Sequence, residues 1–277
     1  MSIYNFFERF RWPREGFCRI CGKNRKLIFD HVPPRSCFNS EAKIVYEFPG
    51  VNKVEASSGV KYRSICSECN NVTLSRCDVE LAQLALDTAQ YIHSQIVGQI
   101  QFPTFECTVQ PVAIFKSVLG HIISSYCSAK AICEPVESVE GSYFHALRDL
   151  FHGRGKQSRR HFKLYYWINS DDKITNIPFF NYADNRHPGN FFHGSLLRFY
   201  PIAFWLVEDS DAPNARIVLP YFTLSDSLVS VQIDLNKIPQ LSPEFPLNSS
   251  HGFSLLNSEL PVQAKNKRSS SIRIFKK

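Results

Sequence analysis

Phe17-Cys18-Arg19-Ile20-Cys21-Gly22, Phe29-Asp30-His31-Val32-Pro33-Pro34 and Ile65-Cys66-Ser67-Glu68-Cys69-Asn70-Asn71 are the segments on which the fold turns. Two Cys-x-x-Cys knuckles a few dozen residues apart supply four thiolates, the set a closed tetrahedral zinc ion requires. An ion so enclosed has no open coordination position, so it folds the chain rather than reacting. The chain holds nine cysteines, and only these four are regularly spaced. In a reducing compartment that pattern reads as metal binding rather than a disulfide framework. Cys37, Cys77, Cys107, Cys127 and Cys133 read as small buried hydrophobes.

Local signals extend the reading outward. Gly22 suits the tight turn that closes the first knuckle. Leu27-Ile28-Phe29 reads as a short strand that delivers Asp30 and His31, and Pro33-Pro34 then forces the backbone out of it. Residues 35–60 form a polar connection with turn signals at Pro49-Gly50 and Ser57-Ser58-Gly59. Lys61 to Ile65 reads as the returning strand. Cys66 to Cys69 forms the second knuckle, and a helix is expected to begin at Asn70, with its side chain facing the Asp-His pair.

Two knuckles, an Asp-His-x-x-Pro element between them and an Asn directly after the fourth Cys resemble the treble-clef ββα-metal nucleases of the His-Asn-His (HNH) family. The likeness is to the zinc-knuckle type found among bacterial restriction and anti-phage defence nucleases, and it covers under a quarter of the chain. It implies a structural zinc on Cys18, Cys21, Cys66 and Cys69. It also implies a catalytic magnesium or manganese ion held by Asp30 and Asn70, with His31 as the general base. Asn71 stays open as the alternative to Asn70. Arg35, Lys61 and Arg63 are the candidates for gripping phosphates of the nucleic acid, expected to be double-stranded DNA. The family's middle Asn, which braces the loop carrying the base, has no evident counterpart: Lys61 or its neighbours stand where it is expected, and Asn52 lies too far back. Two other functions fit the same residues: a zinc module that binds nucleic acid or protein without chemistry, and a ribonuclease.

Beyond this module the chain reads as α+β, with a helical middle and a β-rich C-terminal part. Residues 1–76 form the zinc-stapled nuclease-like module. Residues 77–155 are helical, with helices expected from Asp78, as N-cap, to about Ile100, from Pro111 to about Ile132 and from Ser142 to Phe151. His93, His121 and His145 lie in these helices and read as ordinary core or surface histidines. A basic, glycine-containing linker from His152 to Arg160 leads into a β-rich part of no assigned role, residues 156–262. Its strand-like runs are His161–Asn169, Lys173–Phe179, Phe191–Val207, Arg216–Phe222 and Leu228–Leu235. Residues 263–277 read as a basic, mobile tail.

Charge is distributed unevenly along the 277 residues, whose formal net charge is +7. Residues 1–76 carry 13 Lys+Arg against 7 Asp+Glu, a surplus of six, and residues 261–277 carry six basic residues and no acidic ones. Residues 77–260 carry 13 against 18, a deficit of five. The positive field therefore belongs to the module and the tail, as a polyanionic partner would require. Phe6, Phe7, Phe10 and Trp12, interleaved with Arg9, Arg11 and Arg14, read chiefly as aromatics that pin the N-terminal segment to a core, with base stacking as the alternative. The acidic middle beside a basic module suggests regulation by the remainder of the chain, by a protein partner or by a homo-oligomer. No apolar run approaches the roughly 20 residues of a membrane-spanning helix, and no secretory leader is evident, so a cytoplasmic protein without a membrane partner is expected.

Overall fold

The computed structural model of the chain describes residues 13–40, 43–47, 53–56, 58–98, 104–127, 132–136, 141–154, 162–169, 171–184, 189, 191–208, 221–222, 227–234, 253–259 and 262–266. The N-terminal aromatic-basic segment, Asn52, most of the basic linker and the last eleven residues lie outside these. The described residues mix a few helices with β-rich sheets.

Strands β1 (Glu15–Phe17), β2 (Asn24–His31) and β5 (Lys61–Cys66) form a three-stranded antiparallel sheet in the order β1-β2-β5. At the first knuckle Gly22 adopts φ 72°, and its N–H donates to Cys18 O at 2.8 Å. Ile28 pairs with Ile65 but Phe29 pairs with Arg63, so Ser64 is an extra residue on β5. This bulge shifts the alternation of the hairpin. Phe29 is thereby exposed and Asp30 turned inward. A π-helical turn, Cys69–Leu74, runs from the second knuckle straight into helix α1, Ser75–Ile96. Asp78 is therefore not the N-cap expected from the sequence: it lies one turn inside the helix, and its carboxylate accepts from Ser117 Oγ.

Helix α2 (Pro111–Ser125) starts with Pro at its first turn, where the missing N–H is not needed. It ends at Ser125, seven residues earlier than expected, and is buried on nearly every face. An all-round apolar helix is a core helix, and α2 packs against α1, β5 and helix α3 (Ser142–Phe151) and against strands of the large sheet.

Between β2 and β5 the polar connection folds into a hairpin of β3 (Lys43–Glu47) and β4 (Lys53–Ala56). Strand β6 (Thr104–Val109) pairs with β12 (Val229–Asp234). The remaining strands are β7 (Phe162–Ile168), β8 (Ile174–Asp184), β9 (Phe191–Phe199), β10 (Ile202–Glu208), β11 (Tyr221–Phe222), β13 (Phe253–Glu259) and β14 (Val262–Asn266). Together with β3 and β4 they form a nine-stranded antiparallel sheet in the order β11-β7-β10-β9-β8-β14-β3-β4, with β13 also on β8. The hairpin between β2 and β5 thus completes one end of the C-terminal sheet through β14, whose Ala264 is buried rather than part of a mobile tail. One apolar core runs from Cys18 through α1 and α2 to β14, and an aromatic cluster including Tyr165, Trp167, Tyr182 and Trp205 forms a second. Among the remaining cysteines Cys37 and Cys127 are buried as expected, Cys77 and Cys107 are half-buried, and Cys133 is exposed.

Candidate functional site

The four knuckle cysteines converge. Their Sγ atoms lie within 4.8 Å of one another, and Cys21 Sγ is 4.0 Å from Cys66 Sγ. Zinc–sulfur bonds of ~2.3 Å in a tetrahedron set sulfurs about 3.8 Å apart, so the cluster has the size and donor chemistry of a structural zinc site. The Cys66 backbone N–H donates to Cys18 Sγ at 3.3 Å, and the neighbouring Cys18 side chain holds the Cys66 thiol below its ordinary value. Among the described residues no other group of three or more His, Cys, Asp or Glu side chains converges in this way.

A cavity of about 890 Å³ opens between the end of β2, the π-helical turn and α1. Asp30, His31, Arg35, Asn70 and Asp78 line it, and Val79 and Leu86 of α1 form part of its apolar wall. The end of β2 delivers Asp30 and His31, and the π-helical turn delivers Asn70. Asn70 Nδ2 donates to Phe29 O at 3.1 Å, which turns the amide nitrogen toward β2 and leaves Oδ1 as the free-facing acceptor end. Asn71, the alternative, is exposed and does not line the cavity; its carbonyl accepts from Ser75 Oγ.

His31 is half-buried, and its Nε2 lies 2.9 Å from Ser58 O. A carbonyl only accepts, so Nε2 carries the proton and Nδ1 holds the lone pair of the neutral ring. Burial pushes His31 below the usual imidazole value, only partly offset by the hydrogen bond to Ser58, and the Lys61 and Arg35 charges act in the same downward sense. The ring is thus held neutral with one basic nitrogen near physiological pH.

The loop behind His31 is braced by a residue that sequence reading missed. Asn39 is fully buried; its Nδ2 donates to Pro33 O at 2.7 Å and to Val60 O at 3.0 Å, and its Oδ1 accepts from Val60 N–H at 2.9 Å. The neighbouring Gly59 has φ +82°, and a Cβ there would stand 1.9 Å from Asn39 O. Asn39, eight residues after His31, thus ties the segment at Pro33 to the end of the connection at Val60.

Asp30 is 3% exposed. Its Oδ2 accepts from Ser124 Oγ at 2.7 Å and from His121 Nδ1 at 3.1 Å, both on α2. His121 Nε2 in turn donates to Asp78 Oδ1 at 2.9 Å, and Ser117 Oγ donates to the same oxygen at 2.6 Å. Between two carboxylates both ring nitrogens must donate, which makes His121 an imidazolium. Burial opposes that charge, but the Asp30 and Asp78 carboxylates outweigh it and lift the ring to about 10. His121 is therefore not the ordinary core histidine expected from the sequence. The signal that could have marked it is the polar stripe Ser117, His121, Ser124 at i, i+4, i+7 on an otherwise apolar helix. With both aspartates ionised the trio carries one net negative charge at the cavity edge.

On the outer face of the hairpin Phe29 is 37% exposed. Arg63 Cζ lies 4.2 Å and Lys61 Nζ 5.2 Å from its ring centroid, in cation–π range. Lys61 Nζ also donates to Ser58 Oγ at 2.7 Å. Arg35 is exposed at the cavity mouth.

No protein-family model, no curated protein and no solved structure matches this chain. Among the described residues, no helix is long and apolar enough to cross a membrane.

Proposed function

We propose that this chain is a metal-dependent endonuclease of the HNH type that hydrolyses phosphodiester bonds in DNA, with a defence role against foreign DNA. The observation that carries the reading is the meeting of Asp30, His31 and Asn70 on one cavity, although 40 residues separate the first and last in sequence. Asp30 and Asn70 offer a carboxylate and an amide oxygen, the donors a hard divalent cation prefers. The surplus negative charge of the Asp30–His121–Asp78 trio suits the same ion. Bound Mg²⁺ or Mn²⁺ would supply charge stabilisation on the phosphoryl and leaving oxygens. His31, with Nε2 anchored on Ser58 O, accepts a proton at Nδ1 from the attacking water. Arg35 at the mouth, and Lys61 and Arg63 on the Phe29 face, hold flanking phosphates. The zinc cluster fixes the knuckles from which β2 and the Asn70 turn depart.

The near-complete burial of Asp30 favours a second reading, a zinc-stapled binding module without chemistry. Plasmid DNA and labelled RNA incubated with the protein and Mg²⁺, beside a His31→Ala variant, separate the readings. The nuclease reading expects nicked or linear DNA from the parent and at least a hundredfold less from the variant, consistent with the contribution of a general base. Equal inertness of both, with zinc and DNA binding retained, supports the binding module. Cleavage of RNA alone reassigns the substrate.

A further inference from the structure

The nuclease reading leaves unexplained why a buried helix from outside the zinc module places a charged histidine against Asp30. Isolated in a core, an ion trio is expensive to desolvate and weak evidence for stability. Here it is built at the edge of the cavity, and each of its members is satisfied. Ser124 and His121 both donate to Asp30 Oδ2, and His121 and Ser117 both donate to Asp78 Oδ1. Asp78, whose side chain is 18% exposed, also lines the cavity. Two donors on one carboxylate oxygen fix the rotation of the group and leave Oδ1 as the oxygen for a ligand. Outer partners of this kind orient metal-binding side chains and set their affinity.

We infer that His121, clamped between Asp30 and Asp78 and aided by Ser124, is a positioning residue that aims the Asp30 carboxylate at the catalytic cation, so that α2 completes the active centre from outside the zinc module. This rests on the nuclease reading, because it takes Asp30 as a cation ligand. The stretch that resembles a nuclease is therefore insufficient alone: Asp30 comes from β2, Asp78 from α1, and the two donors that hold Asp30 come from α2.

The test measures Mn²⁺ binding to the full, zinc-loaded chain by the free-Mn²⁺ signal in electron paramagnetic resonance, without nucleic acid. The parent, Asp30→Ala, His121→Gln and Ser124→Ala are compared, with zinc content and melting temperature recorded for each. Positioning expects His121→Gln to weaken Mn²⁺ binding about tenfold or more. It expects Ser124→Ala, which changes no charge, to weaken it in the same direction by a smaller factor. If His121→Gln fails to fold, Ser124→Ala and its Mn²⁺ affinity decide. A lowered melting temperature with unchanged Mn²⁺ affinity in Ser124→Ala and in any folded His121→Gln protein assigns His121 to stability alone and overturns the inference. Mn²⁺ binding that Asp30→Ala does not alter overturns the nuclease reading itself, and the inference with it.

Discussion

Asn39→Ala should be among the most damaging single substitutions near the four-cysteine cluster, and its cost can be worked from the hydrogen bonds it removes. The Asn39 side chain serves Pro33 O, Val60 O and Val60 N–H. Val60 O keeps a second donor, the Val32 N–H at 3.0 Å, so it is not orphaned. The Val60 N–H and Pro33 C=O lose the partner that Asn39 supplies, in a site with no exposed surface. Leaving a buried polar group unsatisfied costs about 1–3 kcal/mol, so the pair costs about 2–6 kcal/mol. A typical domain is stable by about 5–15 kcal/mol, so a loss of this size removes a large share of the margin. Asn39→Asp, nearly the same shape, should be no milder, because a carboxylate oxygen would then face two carbonyls. Urea unfolding followed by circular dichroism gives the stability, and amide exchange at Val60 reports the lost bond directly. A loss under about 1 kcal/mol, with the Val60 amide still protected, would refute the account of this loop. Because the same loop presents Ser58 O to His31, cleavage should fall in parallel even below the melting temperature.

Further outcomes follow from the site. The purified chain should contain one zinc ion; Cys21→Ser or a strong chelator should remove it and unfold the module, since structural zinc contributes about 10–16 kcal/mol at neutral pH, and metal analysis with thermal melts checks this. Burial lowers the His31 pKa, and the proposed role as general base requires the neutral ring. The single-turnover rate should therefore rise with pH through a midpoint below about 6.5 and stay flat above it; a midpoint above 7 contradicts the assignment. His121 is lifted in the folded state to about 10, above its unfolded value of about 6.5. Its stabilising contribution is whole below about 6.5 and is lost as pH rises through 10. Unfolding titrations between pH 6 and 10.5 should show a decline in the parent that is absent in His121→Gln.

What could be read from the chain was local chemistry. The paired cysteines announce a four-sulfur cluster through spacing alone, and Asp30, His31 and Asn70 sit at fixed offsets from the knuckles, so the hairpin and the turn that follows deliver them to one cavity. Asn39 could not be found this way, because its partners lie 6 and 21 residues off and its neighbourhood has no periodicity. Asp78 looked like a helix cap because it precedes an apolar pattern; the continuous π-helical turn before α1 removed the need for one. The connection that holds β3 and β4 read as a loop because its strand pairing to β14 spans the chain. Phe191–Val207 read as one run; it splits into β9 and β10 around a tight turn at Tyr200-Pro201, where Pro cannot donate to a ladder. The bulge at Ser64, which turns Asp30 inward, leaves no mark in composition.

A nuclease centre of this kind requires one divalent cation shared by Asp30 and Asn70, with Nδ1 of His31 within reach. Anomalous diffraction from a crystal of the zinc-loaded protein soaked in Mn²⁺, collected on both sides of the zinc edge to separate the two metals, tests it directly. A manganese peak bonded to the Asp30 carboxylate and Asn70 Oδ1, with His31 Nδ1 facing the ion's outer shell and not bonded to it, is the expected result. A peak ligated by His31, or manganese found only away from Asp30, would contradict it.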